Sequence, residues 1–487
     1  MTPHVTFDSP RTPSVRSSSV GSSSSAHRTI SPSPYVQRVP SDELHDLVCV
    51  GFGPASLAIA VALHDSFSNS SSGQNASALP KVSFLERQPN FAWHAGMQIP
   101  GAKMQISFLK DLATLRDPRS EFTFINYLHR NKRLTQFSNV GTFLPRRLEY
   151  EAYMRWCASA FEDAVTYNTE VLSVDPEEPT STKPVRTFTI KSRNISTGAI
   201  TTLKSKHVLI AVGGRPKIPA SLPQSSPRVI HSSQYQRFLS STTLDRSSPL
   251  RVAIVGGGQS AAEIFSDLPN SFPNSTSSLL IKSSALRPSD DSPFVNEIFD
   301  PERVDSIYAT PAQKREAQIL QDKATNYGVV RIELLEHIYE ELYTQRITIG
   351  NEETEWPRRI LPNRLVESAE EAGDKIVLRV KPTGETGEAV DGEEKMEVDL
   401  LFVASGYERD MHEKMLTGCR GLLSDGEKEG KFQVQRDYSV KFGENKVAKD
   451  AGVWLQGCNE KTHGLSDTLL SILAVRGGEI VGSIFGR

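Results

Sequence analysis

Short apolar runs that end in glycine or another small residue recur along the chain. The first is residues 46–51 (DLVCVG), which have the length and flanks of a buried parallel strand. Apolar residues follow at the helical spacing of Leu57, Ala58, Val61 and Ala62, which predicts a helix directly after it. Further strands are predicted at 81–86, 207–212, 251–255, 278–281, 376–380 and 400–404. Strands mixed with helical stretches indicate an α/β fold with parallel sheets.

The first glycine turn has the pattern of a dinucleotide site. Gly51 stands where the chain leaves the strand, and Gly53 where a backbone would approach a pyrophosphate at the N-terminus of a helix. Ser56 takes the third glycine position of the motif. Glu86, at the end of the next predicted strand, can accept hydrogen bonds from two ribose hydroxyls. Together these residues predict a nucleotide site.

The unit of strand, turn and helix recurs at 250–268, with three glycines at 256–258. The strand after this second turn leads into Lys282 and two serines, with no acid where Glu86 stands in the first copy. A carboxylate there would repel a 2′-phosphate, whereas lysine and serine would bind it. The second site is therefore predicted to prefer NADPH to NADH. Two turns with different ribose chemistry predict that FAD and NADPH are used together.

The domain organisation predicted from these units is discontinuous. An apolar strand within 399–407 ends in a small-residue turn, as expected if the chain returns late to the first fold. We therefore predict an FAD-binding domain at 45–245 and 399–487, interrupted by an NADPH-binding domain at 246–398. Both domains are predicted to be Rossmann-like.

Residues 1–44 are predicted to be a disordered tail. Ten of the twenty positions from 14 to 33 are serine, so the tail offers little apolar surface to offset its ordering entropy. Arginines without any acid from 11 to 40 give it a composition that overlaps with organelle transit peptides, so a targeting role stays an alternative.

Composition excludes several functional classes. The 55 Lys and Arg against 58 Asp and Glu give a net charge of −3, which argues against nucleic-acid binding by electrostatics alone. The four cysteines form no C-x-x-C pair, which excludes a Cys-only zinc site, a dithiol redox motif and a disulfide-dense fold. No run of 18 apolar residues exists. We expect a cytoplasmic protein with no metal site and no nucleic-acid or membrane partner.

The chain resembles the fungal L-ornithine N5-monooxygenases, flavin-dependent N-hydroxylating enzymes of siderophore biosynthesis. The resemblance runs from about residue 46 to the C-terminus. The segments that carry it are 51–57, 97–119, 257–265 (GGQSAAEIF), 287–299 (RPSDDSPFVNEIF), 323–327 (KATNY), 403–407 and 455–476 (LQGCNEKTHGLSDTLLSILAVR).

The resemblance implies three groups of site residues. Those implied for FAD are Gly51, Gly53, Pro54, Ala55, Ser56, Glu86, Trp93, His94, Gln105, Val171, Thr468, Leu469 and Leu470. Those implied for NADPH are Gly257, Gly258, Gln259, Ser260, Lys282, Asn326, Tyr327 and Gly328. Those implied for ornithine are Lys110, Asn296, Glu297, Ile298, Phe299, Asn326 and Ser471, mostly in a small helical region around 287–345.

The serine that holds the substrate amine is either Ser466 or Ser471. Ser466 precedes Asp467 and an apolar helical run, which is the setting of an N-cap, so Ser471 is favoured. Lys110 is informative because an alkyl ammonium, with a pKa near ~10.4, has no lone pair for attack. Burial and a neighbouring positive charge both disfavour the charged form of an amine.

The reaction that the resemblance implies converts NADPH, O₂ and L-ornithine into N5-hydroxy-L-ornithine, NADP⁺ and water. A C4a-hydroperoxyflavin carries the chemistry, so no side chain is expected to be catalytic. An L-lysine N6-monooxygenase or another class B flavin monooxygenase, such as a Baeyer–Villiger enzyme, is the alternative within the same chemistry. An inactive flavin- or NADP-binding regulator is the alternative from another class. The resemblance also implies a homo-oligomer, a tetramer.

Overall fold

The computed structural model describes residues 30–69, 79–177, 183–384, 388–424 and 426–486. The strands in these residues are β1 (Leu44–Val50), β2 (Val82–Leu85), β3 (Val165–Thr166), β4 (Thr169–Pro176), β5 (Phe188–Asn194), β6 (Ile200–Ile210), β7 (Arg215–Pro216), β8 (Val229–His231), β9 (Arg251–Val255), β10 (Thr276–Leu280), β11 (Arg358–Leu361), β12 (Arg364–Ala372), β13 (Lys375–Pro382), β14 (Glu394–Val398), β15 (Leu400–Val403), β16 (Tyr407–Glu408) and β17 (Gly452–Leu455).

The helices are α1 (Pro54–Asn69), α2 (Phe124–Arg130), α3 (Leu134–Val140), α4 (Arg147–Ala158), α5 (Tyr235–Ser241), α6 (Gln259–Ser271), α7 (Pro293–Asn296), α8 (Val304–Ala309), α9 (Ala312–Asn326), α10 (Ile332–Thr348), α11 (Met411–Met415), α12 (Glu460–His463) and α13 (Leu473–Phe485). Short 3₁₀ turns that bear on the site are Ala95–Met97, Glu297–Phe299, Leu465–Thr468 and Leu470–Ile472. No helix of the described residues is both long enough and apolar enough to cross a membrane.

Two sheets organise the molecule. The first has the order β3-β2-β1-β6-β5-β4, and β17 also pairs with β6. Its strands β3, β2, β1, β6 and β17 are parallel, whereas β4 and β5 are antiparallel additions. The second has the order β11-β10-β9-β15-β8, with every pair parallel. Each sheet places its glycine turn at the carboxyl end of a central strand, β1 or β9, where open α/β sheets bind ligands.

Helix α1 lies between the first sheet and α13. Its apolar residues, from Leu57 to Leu63, are fully buried. A Cβ on Gly477 would lie 2.9 Å from the Ala58 carbonyl oxygen, so the close approach of α13 to α1 requires glycine at that position. This contact holds the C-terminal segment against the first glycine turn.

The strand at 399–407 was predicted to return the chain to the first sheet, and this prediction is wrong. Strand β15 pairs with β9 and β8 in the second sheet, and the chain returns to the first sheet only at β17. Strand β8, inside the range 45–245 assigned to the first unit, also belongs to the second sheet. A short apolar strand looks the same in either parallel sheet, because both of its faces are buried in both.

The fold class is as predicted, whereas one predicted parallel strand lies in an antiparallel sheet. The α/β class with two dinucleotide-binding folds, and a helical region around 287–345, are confirmed. The strand predicted at 376–380 lies in β13, whose three-stranded sheet with β12 and β14 is antiparallel rather than parallel.

The predicted tail is wrong in its second part. Val36 is buried, the Ser33 amide donates to the Ala160 carbonyl at 2.8 Å, and β1 begins at Leu44. The imidazole of His64 bonds to the Ser33 hydroxyl at 2.9 Å, so the segment from residue 30 is anchored to α1. The serine-rich composition predicted disorder because it does not show that a single serine, Ser33, bonds to both Ala160 and His64. Residues 1–29 lie outside the described part of the chain.

Candidate functional site

The first glycine turn is shaped by close packing of two strand ends. Gly51 has a φ of +89°, and a Cβ there would lie 2.7 Å from the Ala211 carbonyl oxygen after β6. Only glycine combines that φ with that approach. At Gly53 a Cβ would meet nothing within 4 Å, so the space above the turn is open. The turn therefore leaves room for a group at the N-terminus of α1, which begins at Pro54.

Glu86 stabilises this turn. Its carboxylate accepts the Phe52 amide at 2.6 Å on one oxygen and the Gln88 amide at 2.7 Å on the other. The side chain is only 8% exposed. Each oxygen keeps a further lone pair, so a ribose diol beside the turn fits the carboxylate that the sequence analysis assigned to it.

Several buried polar atoms beside the first turn have no hydrogen-bond partner among the described residues. They are Ser56 Oγ, Ser466 Oγ, Arg476 Nε and both polar atoms of the Gln456 amide. Gln456 is 3% exposed. Its backbone amide donates to the carbonyl of Ile210, the residue before the Ala211 that contacts the turn. Unpaired buried polar groups are uncommon in folded proteins. Their clustering at the edge of the first sheet fits a polar ligand such as a dinucleotide.

The second turn repeats the geometry of the first. Gly256 has a φ of +136°, and a Cβ there would lie 2.7 Å from the Ala404 carbonyl oxygen after β15. A Cβ on Gly258 would lie 3.4 Å from Gly328 Cα, so the turn packs on the loop after α9. Helix α6 then begins at Gln259, followed by Ser260. In both sheets, a glycine with positive φ thus lets the turn pack against the end of the neighbouring strand.

The residues that follow the second strand of each unit differ, with Glu86 in the first and Lys282 in the second. Lys282 follows β10, is exposed, and accepts a hydrogen bond from Thr383 Oγ1 through its carbonyl at 2.7 Å. No acid stands at the end of β10, the position that Glu86 occupies after β2 in the first unit. The residues present at the second turn fit a nucleotide with a phosphorylated ribose.

The two units contact each other through the end of α9 and the C-terminal segment. The Tyr327 hydroxyl lies 2.9 Å from Thr468 Oγ1 and 3.3 Å from Glu460 Oε2. Lys323 Nζ lies 2.5 Å from Glu460 Oε1. A residue implied for NADPH, Tyr327, therefore contacts one implied for FAD, Thr468.

The residues implied for the substrate gather around the turn Glu297–Phe299. Lys110 Nζ donates to Asp300 Oδ1 at 3.1 Å, and Ser471 Oγ donates to the Phe299 carbonyl at 3.2 Å. The Asn296 amide donates to the Asp291 carbonyl at 2.8 Å and is half-buried.

The other members of this group lie nearby but are held differently. Glu297 accepts from Arg303 at the surface at 3.1 Å, Ile298 is half-buried and Phe299 is buried. The side-chain amide of Asn326 donates to Thr325 Oγ1 at 3.4 Å.

The choice between Ser466 and Ser471 looks different in the structure. Ser466 lies inside the 3₁₀ turn Leu465–Thr468 and caps no α-helix, because α13 begins only at Leu473, so the N-cap prediction is wrong. Its hydroxyl is fully buried and has no partner within the described part of the chain, whereas that of Ser471 donates to the Phe299 carbonyl. The run from 465 to 472 breaks into two 3₁₀ turns, which the helical spacing did not indicate.

The remaining residues implied for FAD lie at varied depths. Trp93 and His94 contact each other edge to face at 5.1 Å. Loss of hydration among surrounding protein atoms, followed by the positive charges of Arg147 and Arg409, lowers the pKa of His94 to about 4. The others are Gln105, which is exposed, Leu469 and Leu470, which are half-buried, Ala55 in the first turn of α1, and Val171, which is buried on β4.

Sequence reasoning missed Asp300, Gln456 and the pair Arg147–Glu263. Asp300 directly follows the segment 287–299, and Gln456 directly follows a buried strand, so position was a signal for both. Nothing in the sequence pairs Arg147 with Glu263, which are 116 residues apart. Taken together, the two turns and their meeting point define an α/β protein with two dinucleotide-binding units, the class of two-nucleotide oxidoreductases.

Comparison with known proteins makes the class specific. Residues 43–409 match the sequence family described as L-lysine 6-monooxygenase/L-ornithine 5-monooxygenase, and the chain belongs to this family. It is 54% identical over 471 residues to the L-ornithine N(5)-monooxygenase of Cochliobolus heterostrophus, covering 93% of this chain and 89% of the relative. It is 51% identical to the enzyme of that name from Emericella nidulans, covering 92% and 90%.

Solved structures agree with the sequence relatives. The ornithine hydroxylase PvdA from Pseudomonas aeruginosa has 35% identity and a TM-score of 0.80, covering 91% of this chain and 99% of that one. The ornithine N-hydroxylase KtzI of Kutzneria sp. 744, described with reduced FAD, NADP⁺ and L-ornithine, has 33% identity, a TM-score of 0.79 and the same coverage. The predicted family resemblance is confirmed.

Proposed function

We propose that this protein catalyses the FAD- and NADPH-dependent N5-hydroxylation of L-ornithine, giving N5-hydroxy-L-ornithine for a hydroxamate siderophore. The observation that carries the proposal is the contact between Tyr327, next to the loop that packs on the second glycine turn, and Thr468, in the segment after β17 of the first sheet. The names of the relatives, including PvdA and KtzI, support the substrate.

The first turn would hold FAD. Gly51 allows the positive φ of the turn and its close packing on Ala211, and Gly53 leaves the space above the N-terminus of α1 open, where the amides and the helix dipole would face a pyrophosphate. Glu86 would accept the ribose hydroxyls while it holds the Phe52 amide. The unpaired Gln456 amide would bond to a polar part of the same ligand.

The second turn would hold NADPH. Gly257 and Gly258 would let the backbone approach a pyrophosphate, with Gln259 and Ser260 at the start of α6. Lys282 would bind the 2′-phosphate as a point charge from its exposed position. Flavin reduced by NADPH supplies the activation of O₂ when both groups are bound.

The chain's own contribution to the substrate is to present a neutral amine. A lysine, an amide and a hydroxyl can orient an amine without fixing a proton on it, whereas a lone carboxylate would hold the ammonium. Lys110, Asn296 and a serine of the 466–471 segment would surround the side-chain nitrogen, and Asn326 would anchor the α-carboxylate. With both ends of the substrate held, one extra methylene would misplace the nitrogen and cost about 10²-fold in rate.

A substrate panel scored for hydroxylated product tests the proposal. The purified protein is expected to be yellow and to form N-hydroxylated product from L-ornithine, while L-lysine stimulates NADPH oxidation with little product. Product has to be measured directly, because NADPH consumption also reports uncoupled turnover. Equal hydroxylation of lysine would refute the ornithine assignment, and a protein that forms no product and consumes no NADPH with any member of the panel would favour the inactive regulator.

Asn296→Ala sharpens the same test. The variant is expected to retain FAD and to lose product per NADPH consumed, since Asn296 lies in the substrate segment and not at either turn. Ser275→Ala, in the turn before β10 and away from the substrate segment, is the control. Unchanged coupling in Asn296→Ala would remove this residue from the substrate site.

We also propose a homotetramer, as the family resemblance implies. Helix α10 supports an interface because Tyr339, Tyr343 and Ile347 lie four residues apart and are 73%, 55% and 68% exposed. Light scattering after gel filtration would give the mass, and Tyr343→Glu is expected to lower it. A monomeric wild-type chain would contradict the proposal.

A further inference from the structure

A buried ion pair joins the two nucleotide units behind their glycine turns. Arg147, the first residue of α4, forms a bidentate pair with Glu263 of α6, with N–O distances of 2.9 and 2.8 Å. The two side chains are 13% and 6% exposed. Two parallel hydrogen bonds fix relative orientation as well as distance, which a single surface bridge does not.

Arg147 is held on the flavin side. Its Nη1 also donates to the Met97 carbonyl at 2.6 Å, and Met97 ends the 3₁₀ turn that follows Trp93 and His94. Its backbone amide donates to the Ala102 carbonyl at 2.8 Å. The guanidinium is therefore attached to the segment that carries the residues implied for the flavin.

Glu263 is held on the nicotinamide-nucleotide side. Its Oε1 also accepts from the side-chain amide of Gln259 at 3.0 Å, one helical turn earlier. The oxygen of that Gln259 amide accepts the backbone amide of Arg331 at 2.9 Å. Both ends of the amide are thus fixed, and Gln259 directly follows the second glycine turn.

We propose that Glu263 is a positioning residue for the second nucleotide. It holds the Gln259 side-chain amide in place at the start of α6, directly after the second glycine turn, and, through Arg147, fixes that turn relative to the flavin-side segment. The inference rests on the proposed function for the identity of the nucleotides. A buried ion pair is weak evidence for stability on its own, because desolvation offsets the attraction, so a role in geometry is the better account.

Removal of the Arg147–Glu263 pair is expected to weaken NADP⁺ binding and coupling but not FAD binding. Without Glu263, the Gln259 side-chain amide keeps its bond to the Arg331 backbone amide and loses the bond to its nitrogen, and the link between α6 and Arg147 is broken. The affinity for NADP⁺ and the yield of product per NADPH should both fall. FAD content should be unchanged, because none of the first-turn contacts involves Glu263.

A double-mutant cycle on the full-length, FAD-containing protein tests this. The variants are Glu263→Gln, Arg147→Gln and the double variant, in which no buried charge is left alone. The NADP⁺ dissociation constant is measured by titration, together with FAD content, thermal unfolding and product per NADPH. Each single variant is expected to weaken NADP⁺ binding on the order of tenfold, and the double variant no more than either single one.

Glu341→Gln is the matched control, since Glu341 pairs with Arg358 at 2.7 Å entirely within the second unit. It is expected to change NADP⁺ binding less than twofold. NADP⁺ affinities within twofold of wild type in both single variants would overturn the proposal, as would effects that multiply in the double variant. The titration needs no ornithine, so failure to hydroxylate ornithine would count against the proposed function and leave this inference standing.

Discussion

The two glycine turns share one backbone geometry and differ in their ribose chemistry. Gly51 and Gly256 both have positive φ, and a Cβ on either would lie 2.7 Å from an alanine carbonyl after the neighbouring strand. The first turn is backed by the Glu86 carboxylate, whereas the second is followed by the exposed Lys282. Packing of strand ends thus dictates the turn, and we propose that one side chain at the end of the next strand selects the nucleotide.

The largest effect should come from the shared geometry. Gly51→Ala forces a positive φ on a residue with a Cβ, which costs about 1–3 kcal/mol before the clash with Ala211 is added. Thermal unfolding is expected to shift strongly downward and FAD to be lost. Gly53→Ala is the matched control, because its Cβ meets open space.

Gly53→Ala should therefore change the free energy of unfolding by less than about 0.5 kcal/mol while still weakening FAD binding. Gly256→Ala and Gly257→Ala repeat the comparison at the second turn. Equal stability of Gly51→Ala and Gly53→Ala would contradict the packing argument.

Next in size is the exchange of ribose chemistry. Lys282→Glu places a carboxylate beside the expected 2′-phosphate, and the preference for NADPH over NADH should fall on the order of a hundredfold. The ratio of kcat/KM for the two nucleotides measures it. Glu86→Gln is the control, since it should weaken FAD binding and leave that ratio alone. An unchanged ratio in Lys282→Glu would place the phosphate elsewhere.

A smaller effect is expected between the two turns, at Lys110 and Asp300. Asp300→Asn removes the negative charge that Lys110 contacts at 3.1 Å, so the site becomes more positive. A bound amine would then lose its proton more easily, and the rise of kcat with pH should move to lower pH by up to about one unit. The ornithine KM should rise.

Asp305→Asn is the control for this variant, because Asp305 also forms an ion pair but is 80% exposed at the surface. Since the Lys110–Asp300 pair is partly exposed, stability should change by less than about 1 kcal/mol. A pH profile identical to wild type would separate Asp300 from the reacting amine.

The smallest effect concerns pH and stability. Burial lowers the pKa of His463, which stacks on Tyr438, and of His231, at the end of β8. The unfolded chain binds a proton near pH ~6.5 where the native histidine does not, so the free energy of unfolding falls as the pH drops below that value. His463→Phe, which can still stack on Tyr438, is expected to flatten this slope in acid titrations followed by circular dichroism. The same slope in wild type and variant would contradict it.

The sequence determined the local elements of both units. Strands β1 and β9, their glycine turns and the helices after them follow from short apolar runs and from glycine where φ is positive. The different residues at the ends of β2 and β10, Glu86 and Lys282, could also be identified from the sequence, because each stands at or directly after the end of a predicted strand. These features depend on residues close together in the chain, so a single sequence contains the signal.

Tertiary structure alone decided which sheet receives each strand and which distant side chains meet. Strand β15 joined the second sheet, the segment from residue 30 packed on α1, and Lys110 met Asp300 across 190 residues. Arg147 and Glu263 were brought together in the same way. Apolar strands carry no mark of their partners, and an ion pair between distant residues leaves no periodicity, because both depend on how whole layers pack.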